Sequence, residues 1–378
     1  MSKYFPWRAA NHIELLIDGD AFFPHIFSAV LNAKEYVIIE MYLVASGVLF
    51  EAFYDVLVEA ISREVKIYWL LDDFGSLGLI TKDRQRLTRL GVKLVLYNPL
   101  SIKRQRLTEN LNRNHRKLFL IDGELAYIGG AGITDDFYNP NTRQALWHEV
   151  MLAVKGHVVV DWLALFKQTW GRFSDLPIQV SQPELKIHKL ERSYLARLSF
   201  GSYFRDADIV RSLVKQIKKA QHRVWFATPY FLPSNKVRRV LRRAARKGVD
   251  VRLLLSSKYT DNRWVRYAGH RYYYRQLRDG VKIYEYQHRC LHAKMVLADS
   301  WVSIGSCNFD HWDLHWNLDA NQEVKSGLFA EEVKQLFEQD FTNCKQFTLE
   351  EWLSRPWHKR LREWLFSVLG RLAIRIGR

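Results

Sequence analysis

The chain has 378 residues, and its 57 lysines and arginines outnumber its 40 acidic residues, which gives a formal net charge of +17. Hydrophobic residues make up 48% and charged residues 26%, which excludes a disordered chain and a low-complexity or collagen-like fibre. The length predicts two units of about 150–200 residues each. The charge predicts an anionic partner, either nucleic acid or the surface of a membrane.

Cysteine usage and hydropathy narrow the class of protein further. Three cysteines without a Cys-x-x-Cys pair are too few for a disulfide framework and offer no zinc site, so we expect a reducing compartment. The longest apolar run, residues 36–45, is too short to span a bilayer and carries Glu40 at its centre. The first eight residues lack the apolar core of a signal peptide. We therefore expect a chain that neither spans a membrane nor is exported by a standard signal.

The predicted elements occur twice in the same order. Each half begins with an amphipathic helix and continues with an apolar strand, a second helix and a second strand. These four elements cover 21–32, 36–43, 49–62 and 65–71 in the first half, and 207–217, 224–231, 236–247 and 249–255 in the second. Gly91 and Gly280 then end a further helix before another strand in each half. The alternation predicts a duplicated α/β protein with a mixed or parallel sheet in each half.

The same spaced polar residues end both repeats. The first set is His115, Lys117 and Asp122, and the second is His292, Lys294 and Asp299, each followed by a glycine-rich turn. Because side chains two residues apart on a strand share a face, each histidine lies beside its lysine. If the halves pack about a pseudo-twofold axis, both pairs converge on one pocket.

Such a pocket suits transfer at phosphorus. The lysines would stabilise the charged transition state, one histidine would attack phosphorus, and the other would protonate the leaving oxygen. This chemistry needs no metal and no cofactor. We interpret Asp122 and Asp299 as structural partners of the motif rather than as catalysts.

The duplicated His-x-Lys-x4-Asp motif resembles the signature of the phospholipase D superfamily, over residues 11–325. Stretches such as 71–76, 227–233 and 305–310 look most like short bacterial cardiolipin synthases without N-terminal membrane helices. The resemblance implies two tandem phospholipase D-like α/β/α domains with pseudo-twofold symmetry and an active site at their interface. It also implies a covalent phosphatidyl-histidine intermediate that an alcohol or water resolves. His115 is favoured as the nucleophile by analogy alone.

The resemblance also implies accessory residues. A carboxylate after each motif would orient its histidine, and the matching positions are Glu149 for His115 and Asp319 for His292. Gly130, Ser306 and Asn308 are candidate phosphate-binding positions. The chain departs from the family at Gly132, where Asn is usual, and at Asp319, where Glu is more common. We therefore expect a phosphate or backbone contact to be missing from the first half.

Two basic segments are candidates for binding the anionic partner. Residues 236–247 carry five arginines outside a helical apolar stripe, which fits either a solvated helix face or a phosphate-binding surface. Residues 355–378 interleave lysines and arginines with tryptophan and leucine, as interfacial helices do, although a core helix with basic decoration has the same composition.

We predict four parts of the chain: a first domain (1–171), a linker (172–192), a second domain (193–350) and a basic amphipathic tail (351–378). The preferred function is a phosphatidyltransferase that makes cardiolipin from phosphatidylglycerol and a second phospholipid. It would act as a peripheral protein on the cytoplasmic face of a bacterial plasma membrane, with nucleic acid an improbable partner. A phospholipase D-type hydrolase or a nuclease is the alternative, because phosphate neutralisation serves nucleic-acid binding equally well. A binding module that has lost its chemistry is disfavoured by the intact motifs.

Overall fold

The computed structural model describes residues 4–101, 107–180, 193–201, 208–310 and 316–357. Contacts divide the chain into two compact units. Unit 1 comprises Met1–Ser199, Ile304–Ser306 and Leu318–Glu323, and unit 2 comprises Phe200–Ser303, Cys307–Asn317 and Val324–Arg378. Two short segments from the second repeat thus belong to unit 1.

Up to residue 199, the described part of unit 1 contains four helices, ten strands and a short 3-10 helix. The helices are α1 (Gly19–Leu31), α2 (Val48–Ser62), α3 (Thr81–Leu90) and α4 (Val159–Trp170), and the 3-10 helix is Leu107–Leu111. The strands are β1 (Arg8–Ile17), β2 (Tyr36–Met41), β3 (Lys66–Asp72), β4 (Lys93–Tyr97), β5 (Arg113–Asn114), β6 (Lys117–Ile121), β7 (Leu125–Gly129), β8 (Trp147–His148), β9 (Val150–Gly156) and β10 (Tyr194–Phe200).

The remaining elements follow β10 in the chain. The helices of unit 2 are α5 (Asp208–Lys219), α6 (Asn235–Arg246), α7 (Arg263–His270), α8 (Tyr273–Arg278), α9 (Gly327–Thr342) and α10 (Leu349–Leu353). Its strands are β11 (Arg223–Thr228), β12 (Asp250–Ser256), β13 (Lys282–Tyr286), β14 (Cys290–Leu291), β15 (Met295–Ala298) and β19 (Cys344–Phe347). Four of the described strands are divided between the units: β10, whose last residue Phe200 belongs to unit 2, β16 (Trp301–Gly305), β17 (Asn317–Leu318) and β18 (Ala320–Lys325).

The sheets of the two units have the same internal pattern. In unit 1, β2, β3 and β4 are parallel neighbours and β6 pairs antiparallel with β2. In unit 2, β11, β12 and β13 are parallel and β15 pairs antiparallel with β11. The predicted duplication and mixed α/β class are therefore confirmed.

Buried strands and amphipathic helices form the core of unit 1. Every residue of β2 is buried, as expected for a central strand with both faces covered. The Phe53 ring of α2 meets Trp69 and Phe119 edge-on at centroid distances of 5.8 and 5.7 Å. These rings fix helix α2 against the strands that lead to the first motif.

Some predicted boundaries differ from the structure. Strand β2 ends at Met41, two residues before the predicted end, because Tyr42 leaves the ladder and its ring turns toward His115. Residues 193–199, predicted to begin the second domain, group with unit 1, since Ala196 pairs with Arg8 of β1. The linker residues 181–192 and the tail residues 358–378 lie outside the described residues.

Candidate active site

Strand alternation separates the first motif into two faces. His115 and Lys117 project to one face, while Asn114 and Arg116 project to the other. The backbone N–H of His115 donates to the carbonyl of Leu318 at 2.9 Å, and Lys117 lies opposite Met41 in the β2–β6 register. These backbone contacts hold the motif in place from both sides.

His115 contacts a carboxylate from the second repeat. Its Nδ1 lies 3.0 Å from Oδ1 of Asp319, and both side chains are buried. The Ser306 hydroxyl donates to the same carboxylate oxygen at 2.7 Å and accepts from the Ala320 N–H at 3.1 Å. The expected pairing of Asp319 with His292 is therefore wrong, because Asp319 serves the histidine of the other motif. The Ser306 hydroxyl is engaged by Asp319 and Ala320, and its role in phosphate binding stays a prediction.

The environment of Asp319 keeps it ionised. Burial alone would raise its pKa, but the charge of His115, the hydrogen bonds from His115 and Ser306, and the charge of Lys117 outweigh burial and lower the pKa. Oδ2 of Asp319 is buried and has no hydrogen-bond partner. When His115 is neutral, the ionised carboxylate favours the tautomer that carries the proton on Nδ1, and Nε2 then has a free lone pair.

Lys117 and Tyr42 complete the surroundings of His115. The Lys117 ammonium donates to the His115 carbonyl at 2.6 Å and lies 5.2 Å from the centroid of the Tyr42 ring. That ring meets the imidazole edge-on at 4.9 Å. Sequence reasoning missed Tyr42, although its position directly after the apolar run of β2 was the available signal.

A buried polar network holds the opposite face of the motif. Asn114 Nδ2 donates to Glu40 Oε1 at 2.7 Å, and Arg116 Nη1 lies 3.3 Å from the same oxygen. Burial raises the pKa of Glu40, and Arg116 and Asn114 oppose the shift only in part. On the same side of the motif, the Asn114 N–H donates to Asp72 at 2.8 Å. In the sequence, the sign of this polar network was Glu40, a single carboxylate within an otherwise apolar strand.

The second motif repeats the local geometry in unit 2. The Lys294 ammonium donates to the His292 carbonyl, as Lys117 does to His115. It also lies 2.8 Å from Nδ1 and 3.1 Å from Nε2 of His292. Each unit thus positions a buried lysine against its own histidine.

The aspartates that end the motifs bind backbone. The carboxylate of Asp122 accepts the N–H groups of Lys34, Glu35 and Tyr36, each at 2.9 Å. Asp299 accepts the equivalent groups of residues 221–223 at 2.8–3.1 Å. Both aspartates have a φ of +50°. They fix the turns that precede β2 and β11, which is a structural role.

Glycines in the first unit make room for neighbouring groups. A Cβ atom on Gly130 would lie 2.2 Å from Oε2 of Glu149, so the buried carboxylate occupies the space above that glycine. Glu149 Oε1 also accepts the N–H of Val150 at 2.9 Å. A Cβ on Gly132 would lie 2.6 Å from the carbonyl oxygen of Leu43, so the asparagine usual in the family does not fit here without a shift of the backbone.

Asn308 is the corresponding position in the second unit. It is buried, and its carbonyl accepts the hydroxyl of Thr228 at 2.8 Å. Asn308 is thereby fixed beside the end of β11.

Within the described ranges, no group of three or more histidine, cysteine or acidic side chains could hold a metal ion. In the same ranges, no helix is both long and apolar enough to cross a membrane.

Each of the two mixed α/β units presents a histidine and a lysine two residues apart, at the start of an antiparallel strand. This arrangement defines a phospholipase D-like protein. The family model described as "Cardiolipin synthase, PLD-like domain" matches residues 26–170 and 213–341. The chain belongs to this family.

Similarity to proteins of known name and structure supports this family membership. The chain is 31% identical to cardiolipin synthase A of Pseudomonas aeruginosa, over 92% of this chain and 70% of that protein. It is 32% identical to cardiolipin synthase A of Pseudomonas fluorescens, over 94% of this chain and 73% of that protein. The crystal structure of phosphatidylserine synthase from Haemophilus influenzae shares the fold, with a TM-score of 0.73, 14% identity, and coverage of 98% and 95% of the two chains.

Proposed function

We propose that this protein is a phosphatidyltransferase that makes cardiolipin from phosphatidylglycerol and a second phospholipid. The single observation that carries the proposal is the buried contact of His115 with the ionised Asp319, which leaves Nε2 of His115 as a nucleophile. Relatives named cardiolipin synthase, similar over more than nine-tenths of the chain, support the choice of lipid substrates.

The reaction proceeds in two displacements at phosphorus. In the first, Nε2 of His115 forms a bond to phosphorus, the bond from phosphorus to the glycerol oxygen breaks, and His292 gives that oxygen a proton. In the second, His292 takes a proton from the hydroxyl of the other lipid, whose oxygen then attacks phosphorus and releases His115. Proton transfers balance over the cycle, so both histidines return to their starting states.

The lysines stabilise the charge that gathers on the phosphoryl oxygens during each displacement. Lys117 and Lys294 are buried next to their histidines, where a fixed positive charge acts more strongly than in water. Because the two ammonium groups supply this charge, the mechanism requires no metal ion.

The protein is proposed to act as a peripheral protein at the cytoplasmic surface of the plasma membrane of a bacterium. The net charge of +17 favours adsorption to anionic phospholipid. The basic residues of the tail would add to this attraction.

Incubation of the purified protein with phosphatidylglycerol vesicles, followed by lipid mass spectrometry, tests the proposal. Cardiolipin and glycerol in equal amounts are the expected products, and a chelator such as EDTA should leave the rate within about twofold. Phosphatidic acid without cardiolipin would assign the protein to the hydrolases. Cleavage of an oligonucleotide without any lipid product would assign it to the nucleases.

A further inference from the structure

Four arginines gather on the outer surface of unit 2, around the start of α6 and the junction of α7 and α8. The Arg238 guanidinium stacks on the ring of Tyr272 at 3.8 Å, and that of Arg271 lies 5.9 Å from the same ring. The two cations therefore lie within about 10 Å of each other, roughly one Debye length at 0.1 M salt. Arg242 and Arg275 are near enough to act on Arg238 as well. Arg238, Arg242, Arg271 and Arg275 are here called the arginine cluster.

The protein alone leaves the charge of this cluster poorly compensated. Burial and the charges of Arg271, Arg242 and Arg275 lower the pKa of Arg238, and its buried Nε has no hydrogen-bond partner. Its guanidinium donates to the neutral amide of Asn235. Among the described residues, Asp279 is a carboxylate that contacts the cluster; it accepts from Arg242 at 3.2 Å and also from Arg278 at 3.3 Å. Like charges that lie close together lower the stability of the folded protein. Such an arrangement indicates a site at which a bound anion supplies the compensating negative charge that the fold lacks.

The chemistry of the surroundings selects the anion. Guanidinium groups match the oxygens of a phosphate, and stacking on Tyr272 holds the plane of Arg238 ready for such contacts. Trp264 of α7 and Tyr274 of α8 expose 65% and 41% of their surface. Exposed aromatic rings on helices that also carry arginines are typical of surfaces that enter the headgroup region of a bilayer.

We propose that the arginine cluster binds the phosphates of anionic phospholipid headgroups, and so docks this face of unit 2 on the membrane. Arg239, Arg243 and Arg246 are exposed on α6 and extend the positive surface along that helix. The choice of lipid over other phosphates rests on the proposed function.

The cluster lies near the carboxyl end of strand β11, where the second motif is also found. Helix α6 begins after the carboxyl end of β11, and Met295, next to Lys294, pairs with Ala227 near that same end. A Cβ on Gly269, two residues before Arg271, would lie 3.1 Å from the carbonyl oxygen of Phe231, which also follows β11. Docking through the cluster therefore brings lipid headgroups to the same end of the unit 2 strands as the second motif.

The test compares two double variants of the full chain that remove the same charge. Arg271→Gln with Arg275→Gln changes exposed members of the cluster, and Lys82→Gln with Arg89→Gln changes exposed residues of α3 in unit 1. Sedimentation with vesicles containing phosphatidylglycerol, and with neutral phosphatidylcholine vesicles, measures binding.

The cluster variant should bind anionic vesicles roughly tenfold to thirtyfold more weakly than wild type, and the control should change less than threefold. Neutral vesicles should not distinguish the proteins. Urea unfolding should show the cluster variant at least as stable as wild type, because repulsion on Arg238 is relieved. A purely structural role for the cluster predicts the opposite, a loss of stability with unchanged binding.

Two results would overturn the proposal: equal losses in both double variants, or a cluster variant that loses oligonucleotide binding while its vesicle binding is unchanged. Vesicle binding requires no turnover. A protein that makes no cardiolipin would therefore refute the proposed function, whereas this proposal fails only on the binding results.

Discussion

Nδ1 of His115 lies 3.0 Å from Oδ1 of Asp319, although 204 residues separate them in the chain. Asp319 follows the second motif, yet it belongs to unit 1 and orients the histidine of the first. The histidine of the first repeat is thus oriented by a carboxylate from the second. This contact gives the two repeats a physical reason to be present in one chain.

Ser306→Ala should shift the pH dependence of turnover. Activity requires the ionised Asp319 and falls as the pH decreases through the pKa of that carboxyl. Removing the Ser306 donor raises this pKa, so the acidic limb of kcat/KM should move to higher pH by about one unit, the equivalent of one hydrogen bond to a charged group. Ser199→Ala, which removes another buried hydroxyl of unit 1, is the control and should leave the limb in place. An unshifted limb in Ser306→Ala would show that Asp319 does not govern it.

His115→Ala and His292→Ala should each reduce turnover by at least about 10³-fold, and the double variant should be scarcely worse. Residues that divide one reaction between nucleophile and acid have strongly non-additive effects. Cardiolipin formation on vesicles is the measurement, and the exposed His222→Ala in unit 2 is the control. Substantial activity in either single variant, or multiplicative losses in the double variant, would exclude a shared reaction.

Asp299→Asn should destabilise the protein without impairing its chemistry. Burial would raise the pKa of Asp299, but three backbone N–H donors outweigh it and lower the pKa. A carboxyl with a lowered pKa stabilises the fold above its unfolded pKa, near 4, and this stability is lost as the pH falls through the folded value.

The expected loss for Asp299→Asn in urea unfolding at pH 7 is about 1–2 kcal/mol, and it should shrink below pH 4. Activity per folded molecule should stay within about threefold of wild type. The exposed Asp175→Asn is the control and should change neither quantity. A stable but inactive Asp299→Asn would instead indicate a role in the chemistry.

Gly132→Asn, which restores the residue usual in the family, should destabilise this protein. The new Cβ would lie 2.6 Å from the Leu43 carbonyl oxygen and 2.8 Å from its Cβ, so the backbone must shift, at a cost of about 1–3 kcal/mol. Gly327→Asn is the matched control, because nothing lies within 4 Å of its Cβ position. Thermal unfolding of both variants is the measurement, and equal midpoints would contradict the steric explanation.

Truncation after Ser354 should weaken vesicle binding and spare the fold. The shortened chain keeps Trp352, which is buried and lies 4.7 Å from the ring of Tyr273, but it loses the basic residues that follow. Each lysine or arginine near an anionic surface contributes about 1 kcal/mol, so binding should fall steeply and depend less on salt, while the arginine cluster of unit 2 keeps part of the attraction. Turnover of a short-chain soluble lipid should stay near that of wild type. Unfolding, or an equal loss on the soluble lipid, would mean that the tail is part of the core.

The sequence by itself determined the duplication, the α/β class and the pairing of each histidine with its lysine. These features follow from local rules: hydrophobic periodicity selects helix or strand, and strand alternation places residues two apart on one face. For that reason the helices predicted at 49–62 and 236–247 agree within one residue with α2 and α6. The positions of Asp122 and Asp299 repeat for the same reason, since both close the same local turn.

Only the tertiary structure decided which partners the motif residues have. Order along the chain pairs Asp319 with His292, but the return of residues 318–323 into unit 1 brings Asp319 to His115. The same return directs Ser306 to Asp319, and the approach of Leu43 requires glycine at position 132. Such contacts depend on where distant segments meet in space, which spacing within one segment does not encode.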